Sequence, residues 1–316
     1  MKKFNYGDVR ILVAAPDKLT ADSLKTLLRN TGFRNLYSVK SLGEIKSALA
    51  EESPDLMICE CVFPEGDPSG LIHALRHHEV GDNPFLPVIM VTGDPNPELV
   101  GKVINSGADD LIVKPLSGAY LLKRIEALVR ARKSFIVTSD YIGPERRKNE
   151  RPDTLKAPLI EVPNTLREKV TGGMASNSLQ DLIDLTAAKI NLEKLKRYAL
   201  QTGILVEMIL AAYEENRIDG KLIEDLDRLH YIAGDTSRRL VGTPYDHVAE
   251  LCQSLIKVTS DIRAAMVSPE RKDLDLLKQL ARAVQGAFEI TEDVADIARK
   301  ISASIDQKKS TKQEAN

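Results

Sequence analysis

Residues 1–133 alternate short apolar runs with amphipathic segments. The apolar runs have few polar interruptions, which is typical of strands that are buried on both faces of a parallel sheet. The amphipathic segments repeat apolar residues every three or four positions, which predicts helices. Five strand–helix pairs therefore predict a doubly wound (βα)5 parallel sheet, the α/β part of the fold. The predicted strands are VRILVAA (9–15), NLYSVK (35–40), DLMICE (55–60), LPVIMVT (86–92) and LIVK (111–114).

Residues 178–307 show helical periodicity throughout. Breaks rich in Gly, Pro, Ser and Asp separate the amphipathic segments, and short connections between such helices predict an antiparallel four-helix bundle. This bundle is the all-α part of the predicted fold. The predicted helices cover residues 178–216, 219–241, 244–268 and 270–306.

Two segments lie outside these patterns. Residues 134–177 contain several prolines and glycines and a basic cluster, Arg146 to Arg151, and they are predicted to form a linker between the two domains. The start of this linker is apolar, so residues 135–143 are expected to pack against the first domain near its fifth helix. Residues 308–316 are polar, which predicts a disordered tail.

Composition and charge exclude several classes of protein. The 316 residues carry 28% charged side chains and a net charge of -2, so neither nucleic acid nor a membrane surface is expected as a partner. No apolar run is long enough for a signal peptide or a membrane span, which indicates a cytoplasmic protein. Cys59, Cys61 and Cys252 form no disulfide or zinc pattern. His73 and His77 have metal-binding spacing, but no third ligand is evident, so we expect a solvent-exposed face and no metal or cofactor.

Three motifs stand at successive strand ends of the first domain: PDLMICE, PVIMVT and SGADDLIVKP. In this order and spacing they resemble the receiver domain of two-component response regulators, over residues 8–132. In that family two acids after the first strand bind Mg²⁺, an Asp ending the third strand accepts a phosphoryl group, and a Thr or Ser and a Lys contact it. The resemblance assigns the last two roles to Thr92 and Lys114. The family's Lys-Pro pair is matched by Lys114 and Pro115, which implies a cis peptide bond between them.

The chain departs from the family at the other positions. Ala15 and Pro16 stand where the family has its acid pair, and Asp17 matches only the next position along. Mg²⁺ requires oxygen ligands, which Ala and Pro side chains do not offer. Glu60 stands in place of the phosphate-accepting Asp, and Leu111 in place of an aromatic residue. Phosphoryl transfer depends on positioning and charge neutralisation, so we expect a pseudo-receiver that is not phosphorylated in the usual way.

Two interpretations of Glu60 stay open at this point. Its carboxylate could reach Lys114 and Thr92, mimic the phosphorylated state and hold one surface of the domain. Alternatively, Glu60 is a relic of a decayed site that pairs with Lys114 only because a lone buried charge is costly.

The stretch DLDRLHYIAGDTSRRLVG (225–242) contains a second candidate site. His230 lies beside the apolar stripe of its predicted helix, with Gly234 and Ser237 four and seven residues later. This arrangement resembles the histidine-phosphotransfer domain, a four-helix bundle whose phosphate-accepting His is followed four residues later by Gly. The resemblance implies phosphotransfer at His230 beside Gly234, and we expect His230 to be at least partly exposed. The family's Lys three residues after the His is Ala233 here, which argues against that role.

These observations predict a protein without catalytic activity. The favoured function is an atypical response regulator in bacterial two-component signalling, in which a pseudo-receiver is coupled to a helical bundle that binds a signalling protein: a kinase, a receiver or an output protein. One alternative is a phosphorelay histidine-phosphotransfer protein that uses His230. Another is a helical scaffold that forms a homodimer, whose association would survive mutation of both Glu60 and His230.

Overall fold

The computed structural model describes residues 4–146 and 158–288. The chain divides into two compact units, Met1–Ile190 and Asn191–Asn316. The first unit contains the five-stranded parallel sheet and the second contains a series of helices, which confirms this part of the predicted fold. The predicted disordered tail and the end of the last predicted helix, residues 289–306, lie outside the described residues.

The parallel sheet has the strand order β2-β1-β3-β4-β5. Its strands are β1 (Arg10–Ala14), β2 (Asn35–Val39), β3 (Leu56–Glu60), β4 (Val88–Thr92) and β5 (Asp110–Val113). The helices that alternate with them are α1 (Lys18–Asn30), α2 (Leu42–Glu51), α3 (Ser69–Arg76), α4 (Pro97–Ser106) and α5 (Gly118–Ala131). Every residue of β3 and β4 is buried, because helices cover both faces of the sheet.

Alternate residues of each strand supply the two cores of this unit. Ile11 and Val13 of β1 point into the core that α1 and α5 cover, whereas Leu12 and Ala14 point into the core beneath α2 and α3. This alternation follows from the two-residue period of a strand. The carboxyl ends of the parallel strands meet at one edge of the sheet, which is where functional groups collect in this kind of fold.

The described parts of residues 134–177 are folded and belong to the first unit, which corrects the expectation of a linker. They form an antiparallel sheet of order β7-β6-β8 and a short helix. These elements are β6 (Phe135–Val137), β7 (Ile142–Pro144), β8 (Leu159–Ile160) and α6 (Thr165–Thr171). All of β6 and β7 is buried, and Leu166 and Val170 of α6 enter the core beneath α1 and α5. We call residues 134–146 and 158–171 the extension.

A buried charge network joins the extension to the amino-terminal edge of the parallel sheet. The Asp109 carboxylate accepts hydrogen bonds from Arg76 Nη2 at 2.9 Å and from Arg132 Nε at 2.8 Å. The Arg76 guanidinium also donates to the carbonyls of Pro84, Leu86 and Gly107. Burial lowers the pKa of Arg76 to about 10, and the Asp109 charge opposes this effect.

The aromatic ring of Phe135 lies against both cations of this network. The guanidinium carbons of Arg76 and Arg132 are 5.3 and 5.1 Å from the ring centroid. A ring face attracts a nearby cation, most strongly where water is excluded. The first strand of the extension therefore packs directly onto the charged groups that hold the edge of the parallel sheet.

Arg146 is the one described residue of the predicted basic cluster. Its guanidinium donates a hydrogen bond to the backbone carbonyl of Ala108. Arg147, Lys148 and Arg151 lie outside the described residues. Arg146 therefore contributes to the attachment of the extension rather than to a solvated linker.

The second unit is built from helices that share a core. Its described elements are the part of α7 (Ser176–Glu214) from residue 191 onward, α8 (Gly220–Leu240), a short 3₁₀ turn (Asp246–Val248), α9 (Ala249–Ala264) and a helix over residues 271–288, here α10. Ile209, Leu226, Leu255 and Leu277 represent the four helices in one buried cluster. The apolar stripe that the sequence shows on α8 is buried: Leu222, Leu226, Leu229, Ala233, Thr236 and Leu240. No helix among the described residues has the length and apolarity that a bilayer crossing requires.

A polar network lies inside this helical core. Asp235 of α8 accepts hydrogen bonds from Tyr198 Oη and Arg239 Nε, both at 2.8 Å. Burial alone raises the pKa of Asp235, but the Arg239 charge and these hydrogen bonds outweigh it and lower the pKa to about 2. Asp235 is therefore ionised at neutral pH and connects α7 to α8.

Candidate functional site

Glu60 is the last residue of β3, at the carboxyl-terminal edge of the parallel sheet. Lys114 follows the last residue of β5, and Thr92 ends β4 at the same edge. Parallel strands bring their carboxyl ends together, so the three side chains gather at one place, as the sequence motifs indicated. The Lys114–Pro115 peptide bond is cis, as expected.

Glu60 and Lys114 form an ion pair. Lys114 Nζ lies 2.8 Å from Glu60 Oε1, and the exposed fractions of the two side chains are 35% and 11%. Burial raises the pKa of Glu60; the hydrogen bond and charge of Lys114 oppose this, and the nearby negative charge of Asp17 adds to it. The carboxylate and the ammonium group that would contact a phosphoryl group are therefore already engaged with each other.

Thr92 is at the same edge but is bonded elsewhere. Its hydroxyl donates to the carbonyl of Asp94 and accepts a hydrogen bond from the Asp94 backbone N–H, both at 3.1 Å. These bonds close a turn directly after β4. The structure thus brings Glu60 to Lys114 and gives Thr92 a local hydrogen-bond partner.

The Mg²⁺ ligands of the receiver family do not fit the residues at this edge. Ala15 and Pro16 have no side-chain oxygen, and Ala15 is fully buried. Asp17 is the N-cap of α1, and its Oδ1 accepts a hydrogen bond from the Thr20 N–H at 2.7 Å. Hydrogen bonding from the Thr20 side chain, and then from its backbone N–H, lowers the pKa of Asp17. An exposed capping carboxylate and a Glu paired with Lys do not make a site for a cation that demands several oxygen ligands in near-octahedral geometry.

The pair of histidines at the end of α3 does not form the solvent-exposed face that was expected for it. His77 is buried, and its ring stacks on His73 with the centroids 3.9 Å apart. In the described parts of the chain, no three His, Cys, Asp or Glu side chains are grouped closely enough to hold a metal ion.

His230 lies on the exposed side of α8, where that helix meets α9. Its Nδ1 is 3.4 Å from the hydroxyl of Ser260. A Cβ placed on Gly234 would meet no atom within 4 Å, so the space one turn beyond His230 is open. Ser237, in contrast, is buried and accepts a hydrogen bond from Gln253.

The packing of α8 against α9 brings Lys257 of α9 to the level at which the histidine-phosphotransfer motif has a lysine. Gln253 contacts Ser237, and seven residues later Ser260 contacts His230, so the two helices run antiparallel in this register. Lys257 is exposed and lies on α9 at the level of Ala233, the position where the phosphotransfer family has its lysine. Helix periodicity within α8 could not find Lys257, because its position depends on the pairing of two helices.

Comparison with known proteins agrees with the geometry of the first unit. A family model described as the response regulator receiver domain matches residues 11–126. This class of protein has a five-stranded parallel sheet with its site at the carboxyl-terminal edge, as described above. Residues 11–126 are a receiver domain of two-component response regulators.

Several curated relatives match the same region. The transcriptional regulatory protein GltR of Pseudomonas aeruginosa is 34% identical over 122 residues, which cover 38% of this chain and 48% of GltR. The virulence transcriptional regulatory protein PhoP of Salmonella typhimurium is 30% identical over 122 residues, or 39% of this chain and 52% of PhoP. The chain thus spans about half the length of the curated relatives it matches.

One solved structure of similar sequence is a CheY-like receiver domain from Methanospirillum hungatei. It is 27% identical, with a TM-score of 0.34, and the match covers 37% of this chain and 90% of that domain.

Proposed function

We propose that this protein is an atypical response regulator whose receiver domain is not switched by its own phosphorylation. The observation that supports this most is the 2.8 Å ion pair between Glu60 and Lys114 beside Ala15 and Pro16. Phosphoryl transfer requires a positioned acceptor and neutralisation of the phosphate charge. Here the acceptor is replaced, its lysine is engaged, and the metal-binding acids are missing.

Titration by NMR with Mg²⁺ and the phosphate analogue beryllofluoride tests this proposal. We expect no saturable shifts of the Thr92 and Lys114 amide resonances. The matched control is the variant with Ala15→Asp, Pro16→Asp and Glu60→Asp, which restores the acids of the family and should respond. Saturable shifts in the unaltered protein, with both reagents present, would overturn the proposal.

We further propose that Glu60 acts as a fixed substitute for the phosphorylated state. Its negative charge holds the Lys114 ammonium as a phosphoryl group does in the receiver family. If this pair holds a surface, Glu60→Gln should shift amide resonances along α4 and α5 as well as near Lys114. Shifts confined to residues adjacent to Glu60 would identify it as a relic. Glu65→Gln, which changes an exposed acid shortly after β3, is the control.

The proposed role of the helical unit is to bind a signalling protein. Its four helices share a core of their own, and exposed apolar residues line α7. The partner class is a protein of two-component signalling rather than a nucleic acid. We do not propose the transcriptional regulation that the relatives' names give, since the matched region covers the receiver domain and about half of each relative.

A second candidate function is phosphotransfer through His230. It is supported by the exposed ring of His230, the open space at Gly234 and the position of Lys257. We expect no rapid labelling on incubation with ³²P-labelled phospho-receivers, because the position three residues after His230 is Ala233 and the cation at that level, Lys257, lies on the neighbouring helix α9. Acid-labile, base-stable label that is absent in His230→Gln and reduced in Lys257→Ala would favour this function over the first.

A further inference from the structure

A cavity of about 450 Å³ lies at the amino-terminal edge of the parallel sheet, within the first unit. It is at the other edge from Glu60, because Asp55, which lines the cavity, directly precedes β3, whereas Glu60 ends that strand. Helix α6 and the first turns of α7 supply the rest of its wall. Binding pockets for small molecules have volumes of about 300–1,000 Å³, so this cavity is large enough for a small ligand.

The lining of the cavity combines apolar and charged side chains. The apolar lining residues are Leu49, Leu75, Leu86, Met174, Leu179 and Ile183. Leu75 and Leu86 belong to the core beneath α2 and α3, so the packing of the sheet holds them in place. The charged lining residues are Asp8, Arg10, Asp55, Asp82, Glu168 and Lys169. Because the acids outnumber the bases by four to two, a phosphate or another polyanion would be repelled.

Two of these charged groups are already engaged within the wall. The Arg10 guanidinium donates a hydrogen bond to the carbonyl of Ser53. Glu168 Oε2 accepts the Met174 N–H at 3.1 Å, across the turn that follows α6. A Cβ on Gly173 would collide with Glu168 Oε2, so this turn requires glycine. The charges that remain to meet a ligand are therefore those of the other lining residues.

Asp55 is the most buried of the charged lining residues, with an exposed fraction of 8%. Its Oδ2 accepts the Arg10 backbone N–H at 2.8 Å. Within the part of the chain that the structure describes, no donor contacts its other oxygen, Oδ1. Burial raises the pKa of Asp55, and the Arg10 hydrogen bond and then the Lys169 charge oppose this effect. A buried carboxylate oxygen without a donor is stabilised by a cationic donor that enters the cavity.

Lys169 brings the opposite charge to the same cavity. It is exposed on α6, and among the described residues it forms no ion pair. Its charge acts on Asp55, yet the two side chains do not pair with each other. Opposite charges that line one cavity without pairing are complementary to a molecule that carries both an ammonium and a carboxylate group.

We propose that this cavity binds a free amino acid with an aliphatic side chain. The ammonium group of the ligand donates to Asp55 Oδ1, its carboxylate lies against the Lys169 ammonium, and its side chain packs on Leu75 and Leu86. A simple amine would leave Lys169 without a partner, and a simple carboxylate would place a negative charge beside Asp55. The site does not involve the ion pair at the other edge of the sheet.

Isothermal titration calorimetry of the full chain with L-leucine tests the proposal. Ligand concentrations from about 10 μM to about 10 mM cover dissociation constants in the micromolar to millimolar range. We expect saturable binding. Isoamylamine is leucine without its carboxylate and isocaproate is leucine without its ammonium group, and each should bind at least tenfold more weakly because it lacks one charged contact. No saturable binding of L-leucine, or equal binding of either analogue, would overturn the proposal.

Substitutions in the lining locate the binding site. Lys169→Gln and Asp55→Asn should each weaken L-leucine binding at least tenfold, since each removes one charged contact. Asparagine retains an oxygen that can accept the Arg10 N–H. The control is Arg167→Gln, an exposed cation on α6 that does not line the cavity, and its affinity should be unchanged.

The exposed pair of positions keeps the test decisive even if Asp55→Asn impairs folding, because Lys169 and Arg167 are both on the surface of α6. Saturable shifts of the Gly173 and Met174 amide resonances should accompany L-leucine binding, since both residues line the cavity. Unchanged affinity in Lys169→Gln, or an equal loss in Arg167→Gln, would show that L-leucine does not bind in this way.

Discussion

The two edges of the parallel sheet carry two charged clusters of different construction. At the carboxyl-terminal edge, Glu60 and Lys114 form one ion pair, and the lysine remains 35% exposed. At the amino-terminal edge, the Asp109 side chain is 1% exposed and pairs with Arg76 and Arg132, whose side chains are 0% and 4% exposed. A receiver domain has its chemistry at the first edge, but here the more elaborate network is at the second.

The exposed pair at the carboxyl-terminal edge is built like a functional site, whereas the buried network at the amino-terminal edge is built like a structural contact. An ion pair open to water can lose a member without leaving a buried charge, because solvent replaces the partner. A buried pair cannot, since removal of one charge leaves the other uncompensated. Substitutions at the two edges should therefore differ in their effect on the free energy of unfolding.

The largest effect is expected for Asp109→Asn. The change leaves Arg76 and Arg132 buried without an opposing charge, which should lower the free energy of unfolding by about 3–5 kcal/mol. Urea unfolding followed by circular dichroism measures it. Asp110→Asn is the neighbouring control: its partner Arg124 is 39% exposed, and the expected loss is below about 1 kcal/mol. Equal losses in the two variants would contradict the proposed contrast.

A smaller effect is expected for Gly143→Ala, at the contact between β7 and the parallel-sheet domain. The new Cβ would lie 2.7 Å from the Cα of Gly107 and 2.6 Å from Tyr141 Oη. Backbone must move to make room, and overpacking of this kind costs about 1–3 kcal/mol. Gly101→Ala in α4 is the control, because nothing lies within 4 Å of its Cβ and a helix interior favours Ala by about 1 kcal/mol. The midpoint temperature of thermal unfolding should therefore fall for Gly143→Ala and rise for Gly101→Ala.

The smallest effect at neutral pH is expected for Glu60→Gln, within about 1 kcal/mol, because Lys114 can turn to solvent. The pH dependence is more informative. Burial raises the pKa of Glu60, so the folded state binds a proton more readily than the unfolded state. The stability gained from protonating Glu60 is fully present when the pH is below the pKa of Glu60 in the unfolded state. It is lost as the pH rises through the pKa of Glu60 in the folded state.

As the pH falls from neutral to acidic, the free energy of unfolding of the unaltered protein should therefore rise relative to that of the Glu60→Gln variant. Parallel stability curves for the two proteins would show that Glu60 has no raised pKa.

The sequence predicted the parallel sheet because its elements depend on local patterns. Apolar runs for β3 and β4 and capped amphipathic helices are visible without knowledge of tertiary contacts. The proximity of Glu60 and Lys114 was also predictable, since both follow strands that end at the same edge. The partner of Thr92 was not predictable, because its hydroxyl is bonded within the turn that follows β4, to Asp94.

The apolar start of the extension, residues 135–143, indicates packing on the first domain, but the strands and the buried network of the extension could not be predicted in this way. These strands are two or three residues long, and short strands carry too few positions to show alternation. Arg76 and Arg132 occur at the ends of α3 and α5, where a cation is ordinarily a solvated residue that favours the helix terminus. Their burial results from the later strands that cover them, which is a tertiary effect.

The Asp109 network also has a consequence for hydrogen exchange. Asp109 Oδ2 accepts the backbone N–H of Val88, and the Asp109 N–H donates to the Val88 carbonyl, both at 2.9 Å. These amides can meet solvent deuterium only when the carboxylate leaves both guanidinium groups and Phe135 of the extension moves away from them. Their exchange should therefore report opening of the whole first unit, whereas amides of the turn after Thr92 exchange through local fluctuations.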